Sequence, residues 1–346
     1  MNAPSLLVLP KNICGTNVTY RCPSIQAQNI HTAGARYMKQ LDVVISLPGD
    51  NKYLREQALV AQASAQRLGM KLRIINAGSD PVVQSQQLLE IIQSSRERPD
   101  AIIIEPVNET GLPRVAEAAV HAGIAWIVSN ARVDYLETLR TTARTPVFSV
   151  SQDHGEIGRL QGKQFGVLLP HGGSVLYLRG PSSNSLACQR AEGVESATPH
   201  SIQLKTMKIQ WTEESAYHSV SSWLRLSTVH AAGFHLVSSQ NIDFISAARR
   251  AFQDNAQSTE RQQWLSLLYT GAGVASQTKP LVDKSILTAA VFTSLTMDTC
   301  LEMLHRAIER GSQPAERTMV SASSYPGLEE LSKTQTARVV PRAAGN

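Results

Sequence analysis

Charge is what this chain has least of. Acidic and basic side chains make up 18% of its 346 residues, against about a quarter in ordinary globular proteins. The 33 basic and 28 acidic residues leave a net charge of +5. The basic residues are dispersed, and their densest cluster, Arg96, Arg98 and Arg114, has Glu97 and Glu105 among it. A nucleic-acid partner asks for Lys and Arg gathered on one face, so none is expected. Cysteine is equally sparse: Cys14, Cys22, Cys188 and Cys300. They form no Cys-x-x-Cys pair and no Cys/His cluster with zinc spacing, so no metal site is expected. Cys188 and Cys300 fall in expected helices, where a buried thiol behaves as a small hydrophobe. Cys14 and Cys22 lie in a polar N-terminal segment, and nothing there supports pairing them. No stretch approaches the roughly 20 apolar residues that cross a bilayer, so direct membrane insertion is not expected.

Catalytic patterns are missing as well. The chain has no Gly-x-Ser-x-Gly elbow, His-Glu-x-x-His pair, P-loop or calcium loop. Its nine histidines are scattered. His154 and Glu156 share a helix start, where capping or solvation accounts for them. The run GAGVAS, residues 271–276, approaches a dinucleotide fingerprint, but Ser276 stands in place of the third glycine. The next strand also ends without the acidic residue that would hold a ribose. It reads as a tight strand-to-helix turn. No enzymatic activity and no cofactor are expected.

The start, MNAPSLLVLPKNICG, has an apolar run only from Ser5 to Leu9 before Pro10. That is short of a secretory signal. Residues 1–40 show no trustworthy periodicity and are expected to be an extension without an assigned fold.

What the chain does have is 42% hydrophobic residues, laid out from residue 41 as alternating strands and helices. Strands are expected at 42–47, 71–76, 101–104, 124–129 and 146–150, with helices at 52–68, 81–95 and 110–122. The first helix places Leu54, Ala58, Ala61, Ala65 and Leu68 at steps of four and three, one face of a helix, and Gly69 closes it. A second series follows: strands at 174–178, 202–209, 234–237, 264–270 and 286–292, with helices at 154–169, 184–197, 213–226, 242–254, one ending near 284, and 295–310. Gly158, Gly162 and Gly166, four apart, are expected to let their helix approach its sheet closely. Continuous apolar strands between amphipathic helices mean parallel sheets covered on both faces. The fold class is α/β: two doubly wound parallel-sheet lobes.

Several segments carry a resemblance. Residues 153–198 place Asp153, Gly158, Gly162, Gly180, Arg190 and Gly193 in a pattern of an Asp, a Gly-punctuated helix, a strand ending in Gly, and Arg-x-x-Gly in a helix. NKYLREQALVAQASAQRLGMKL and QNIDFISAARRAF resemble two further signatures. Together they are similar to the type 1 periplasmic binding proteins for sugars, the ribose- and galactose-binding group, whose core is shared with lactose-repressor-type regulators. The resemblance covers about residues 41–330. It implies a three-strand hinge, with lobe 1 at 41–150 plus 293–313, lobe 2 at 151–292 plus 314–330, and a tail at 331–346.

It also implies a ligand site. Asn51 and Tyr53 match the loop after the first strand. Asn130 stands where many sugar binders have Asp, and Ala131 where they have Arg. Arg190 matches a ligand-binding Arg, Trp211 an aromatic of the second lobe, Asn241 an Asn, and Thr293 the Gln of ribose binders. Gln240 joins Asn130 and Asn241 as amides just past strand ends, where ligands bind in open parallel sheets. Amides suit polyols, with helix capping as the rival role. Tyr53 and Trp211 suit stacking on a sugar face, with core packing as the rival. The turn at 271–273 replaces a Gly-x-Asp, so two carboxylates are missing and the cleft is expected to be amide-rich. The implied function is non-enzymatic capture of a small polar, carbohydrate-like ligand for an ABC-type permease or membrane sensor of the cell envelope. The alternative is a cytoplasmic ligand-sensing regulator without a DNA-binding headpiece.

Overall fold

A computed structural model describes residues 40–339 apart from Glu97 and Ser227, with side chains described as far as Thr334. The extension at 1–39, with Cys14 and Cys22, lies outside the described residues. The first series runs β1 (Asp42–Leu47), α1 (Lys52–Arg67), β2 (Lys71–Asn76), α2 (Pro81–Gln93), β3 (Ala101–Ile104), α3 (Pro113–His121), β4 (Ala125–Ser129), α4 (Leu136–Thr142) and β5 (Val147–Gln152). The second runs α5 (His154–Leu168), β6 (Gly173–Arg179), α6 (Ser185–Ala197), β7 (Ile202–Lys208), α7 (Glu213–Trp223), β8 (Leu236–Ser239), α8 (Ile242–Asn255), α9 (Ser258–Ser266), β9 (Leu268–Gly273), α10 (Ala275–Asp283) and β10 (Ala289–Phe292). The chain ends with α11 (Met297–Arg310), β11 (Arg317–Val320), β12 (Ser323–Tyr325) and α12 (Leu328–Val339).

Among the described residues these strands form two six-stranded sheets, ordered β2-β1-β3-β4-β5-β11 and β7-β6-β8-β9-β10-β12. All pairs are parallel except β10 with β12. The central strands are apolar on both faces: Ala101, Ile102, Ile103 and Ile104 of β3 are buried throughout. This is why they read as runs rather than alternations. Each lobe is therefore a doubly wound sheet, as expected.

The chain passes between sheets at 152–154, at 293–296 and at 321–322. Segment 314–330, expected wholly in the second lobe, is divided. Strand β11 pairs with β5 in the first sheet, and β12 pairs with β10 in the second. Residues from 331, expected as a tail, continue α12, whose Leu331 is buried against Phe165 and Leu169 of the second lobe. Residues 264–266, read as strand, end helix α9. Only Trp264 of α9 is buried, so the sequence carries no helical stripe there. Helix α4 was not expected.

Of the glycines expected to bring α5 close to its sheet, Gly158 and Gly162 face α6 instead, and Gly166 faces Pro199 just beyond it. A Cβ at Gly158 would overlap the carbonyl oxygen of Arg190, and one at Gly162 would stand 2.9 Å from the backbone at Val194, Ala197 and Thr198. Bare backbone lets the two helices touch and carries Arg190 toward the start of α5. Among the described residues no helix is long and apolar enough to cross a membrane.

Candidate functional site

Both sheets present their carboxyl edges to a common cleft, the edge where parallel sheets bind ligands. From the first lobe come the loops after β1, β3 and β4. From the second come those after β6, β7 and β8.

Asn51 caps α1, its Oδ1 accepting from the amide of Leu54 at 2.9 Å. Two residues on, Tyr53 turns inward. Its hydroxyl accepts from Nε2 of Gln57 at 2.7 Å and of Gln152 at 3.2 Å. Gln57 is fully buried on the inner face of α1. Its Oε1 accepts from the amides of Thr296 and Met297, and its Nε2 also donates to Thr296 Oγ1. This one amide pins α1 to the start of α11 and so fixes Tyr53. Burial pushes the Tyr53 hydroxyl well above its usual range, and nearby Glu105 adds to the effect.

Asn130 follows β4 in the left-handed region, at φ 50°, which Asn tolerates better than most residues. The turn directs its amide two ways. Nδ2 donates to Oε1 of Glu105 at 3.2 Å, and Oδ1 lies 3.1 Å from Nε2 of His154. His154 belongs to the second lobe. Its Nδ1 accepts from Nε of Arg190 at 3.1 Å, so the imidazole proton sits on Nε2 and points at Asn130. A one-way relay results: guanidinium, imidazole, amide, carboxylate. It crosses between the lobes at the His154–Asn130 step.

Arg190 spends its remaining fork on Gln152 Oε1 at 3.0 Å and the carbonyl of Gln240 at 2.6 Å. Burial draws its pKa down to about 10 and leaves it charged at neutral pH. Burial, with Arg190 beside it, draws His154 down to about 2 and keeps the imidazole neutral. Burial pushes Glu105 up to about 7.

The other expected residues divide. Asn241 caps α8, its Oδ1 accepting from Asp243. Gln240 is fully buried. Its side chain accepts from the amide of Gly180 and donates to the carbonyl of Ala187, so it reaches the cleft only through its own carbonyl. Trp211 lies over Gly180 and tilts against Phe244, with ring centroids 5.5 Å apart. Thr293 is buried at the second crossing. Ala131 sits in the apolar core with Val133 and Leu136.

Besides Gln57, three residues escape sequence reading. Sequence alone points His154 to capping or solvent, but Asp153 is the cap, accepting from the amide of Glu156, and His154 is 2% exposed. Glu105 was counted in a charged cluster, yet it is buried beside Asn130. Gln152 had no signal. Its Nε2 also donates to the carbonyl of Ser294, and Ser294 Oγ donates to that of Ser321. The three crossings are thus stitched side by side. Among the described residues no three His, Cys, Asp or Glu side chains converge to hold a metal.

At the rim, Lys52 Nζ lies 3.2 Å from Asp243, Ser276 and Gln277 donate to Glu56, and Ser185 donates to Glu109. Each pair joins the two lobes.

The family described as periplasmic binding protein domain matches residues 43–310. The chain belongs to that family. No curated protein matches the sequence. Among solved structures it is similar to a galactofuranose binding protein, with 20% identity, a TM-score of 0.69, and 86% of this chain and 99% of that one covered. It is also similar to an ABC transporter periplasmic solute binding protein from Actinobacillus succinogenes 130z with bound D-allose, with 16% identity, a TM-score of 0.71, and coverage of 85% and 100%. A third is the fructose binding periplasmic domain of a hybrid two component system, with 18% identity, a TM-score of 0.67, and coverage of 86% and 96%. At these identities the likeness is one of fold. Family membership makes the cleft a ligand-binding feature.

Proposed function

We propose that this chain is a non-enzymatic solute-binding protein that traps a small polyhydroxylated ligand between its lobes. The observation that carries the reading is the polar relay from Arg190 to Glu105, which spans the cleft at the carboxyl edges of both sheets. Buried groups of this kind exchange hydrogen bonds with a polyol at little net cost, because hydroxyls both donate and accept. Tyr53, Asn130 and Thr293, with Asn51 at the rim, form the near side. Arg190, Trp211, Asn241 and the carbonyl of Gln240 form the far side. The similar structures carry galactofuranose, allose or fructose in their descriptions, which favours the carbohydrate class here. Their settings favour reading of the closed form by an ABC-type permease in the cell envelope. A membrane sensor is the second reading, since one similar structure is a two-component sensor domain.

A thermal-shift panel of pentoses, hexoses, alditols and cyclitols tests the proposal. A ligand that binds only the native state adds about 2.7 kcal/mol at a hundredfold excess over Kd. At least one clear upward shift is expected, with contraction in small-angle scattering at saturation. A flat panel overturns the reading. Ribose is expected to be weak, because Asn130 and Ala131 replace the Asp and Arg of the resembling ribose binders.

A further inference from the structure

The buried carboxyl of Glu105 is only half used. Its Oε1 accepts from Asn130, while Oε2 is shut off from water and has no hydrogen-bond partner. The residue is 8% exposed and follows β3 at the edge that builds the cleft. A carboxylate oxygen in that position costs free energy until a donor reaches it. Of the charged and titratable groups nearby, Tyr53 of α1 and Cys300 of α11 sense its charge, while His154 of α5 and Arg190 of α6 connect to it through Asn130. None of them is hydrogen-bonded to Oε2.

Position 130 explains the arrangement. The resembling sugar binders carry Asp there, and here Asn donates to Glu105 instead. Two carboxylates at that distance would not both ionise. Here the amide of Asn130 props a single carboxyl at the end of β3.

We propose that Glu105 is a ligand-binding residue of this cleft, its Oε2 accepting from a hydroxyl of the bound polyol. The assignment rests on the solute-binding reading above and names the acceptor within it. Burial holds the free carboxyl near pH 7, so binding tightens as pH rises through neutrality and the full acceptor forms.

The test is titration calorimetry with whichever of D-galactose, D-allose, D-fructose, L-arabinose and myo-inositol raises the melting temperature of the wild-type protein most. Wild type and Glu105→Gln are compared at about pH 8.5 and about pH 5.5. The variant keeps the acceptor for Asn130 and is expected to fold, which its own melting curve checks. At the higher pH it should bind about ten- to a hundredfold more weakly, as loss of a charged acceptor implies. At the lower pH the gap should close to within about threefold, because the wild-type carboxyl is then itself protonated. Binding within twofold of wild type at pH 8.5 overturns the assignment while leaving solute binding intact. An equal loss at both pH values also overturns it, since that marks a packing defect. If none of the five sugars and polyols shifts the wild type, the solute-binding reading and this assignment fall together.

Discussion

Arg190 donates its Nε–H to Nδ1 of His154 across 3.1 Å, and that contact decides where the imidazole carries its own proton. With Nδ1 accepting, only Nε2 is left to face Asn130. The imidazole is held neutral far below the usual histidine range, mainly by burial and then by Arg190.

Nitrogen-correlated NMR should therefore show His154 as the neutral Nε2–H tautomer from about pH 5 to 8. The sign for stability follows from linkage. The folded pKa lies below the unfolded value of about 6.5, so the unfolded chain binds the extra proton. This residue's contribution is present above about pH 6.5 and is lost as pH falls toward 2. Chemical unfolding of His154→Gln should lack that part of the acid slope. An unchanged slope would assign it to other groups.

Arg190→Lys keeps the charge but replaces a rigid fork with a compact ammonium on a flexible stem. Its three N–H groups leave one nitrogen, which cannot stand within reach of His154, Gln152 and Gln240 as the three guanidinium nitrogens do. Ligand affinity should drop by at least about tenfold, the scale of one charged hydrogen bond. Lys52→Ala, which removes the exposed pair with Asp243, should cost less than about 1 kcal/mol. Calorimetry on the two variants, with one ligand, should reproduce that order.

Asn130→Asp places a second carboxyl 3.2 Å from Glu105 and removes the donor between them. One of the two must hold a proton, so stability should fall by about 1–3 kcal/mol at pH 8. The deficit should shrink as pH falls toward about 4, where the unfolded carboxyls also take up protons and holding the shared proton costs little. Melting temperatures across that range read it directly, and a pH-independent deficit would contradict the pairing.

Gly158→Ala should destabilise by about 1–3 kcal/mol in urea, because overpacking against Arg190 outweighs the roughly 1 kcal/mol gain in helix propensity. Gly155→Ala meets only the flexible end of Arg159 and the Asp153 carboxylate, so it should be neutral or mildly stabilising.

The central strands of both lobes were legible because a strand buried on two faces writes an unbroken apolar run, which the partly exposed β11 and β12 lack. The cap on α8 was legible as Asn at a strand-to-helix turn, whereas the capping role of Asn51 on α1 was not. The edge residues were not. Gln57, Gln152 and Glu105 are polar side chains in or beside elements whose periodicity marks only the apolar neighbours, and their long-range partners lie 25 to 240 residues away, as when Glu105 meets Asn130 and Gln57 meets Met297. Helix α9 failed for the opposite reason: its apolar residues cluster at one end, where they imitate the strand that follows.

The interleaving of the chain also bears on its synthesis. The first sheet is complete only when β11 joins β5, and the whole second lobe except β12 and α12 is translated between those two strands. At about 5–20 residues per second that interval lasts on the order of ten to thirty seconds. Through it β5 waits on the nascent polypeptide with an unpaired edge, open to mispairing. A chaperone's opportunity therefore falls while the ribosome is reading the second lobe.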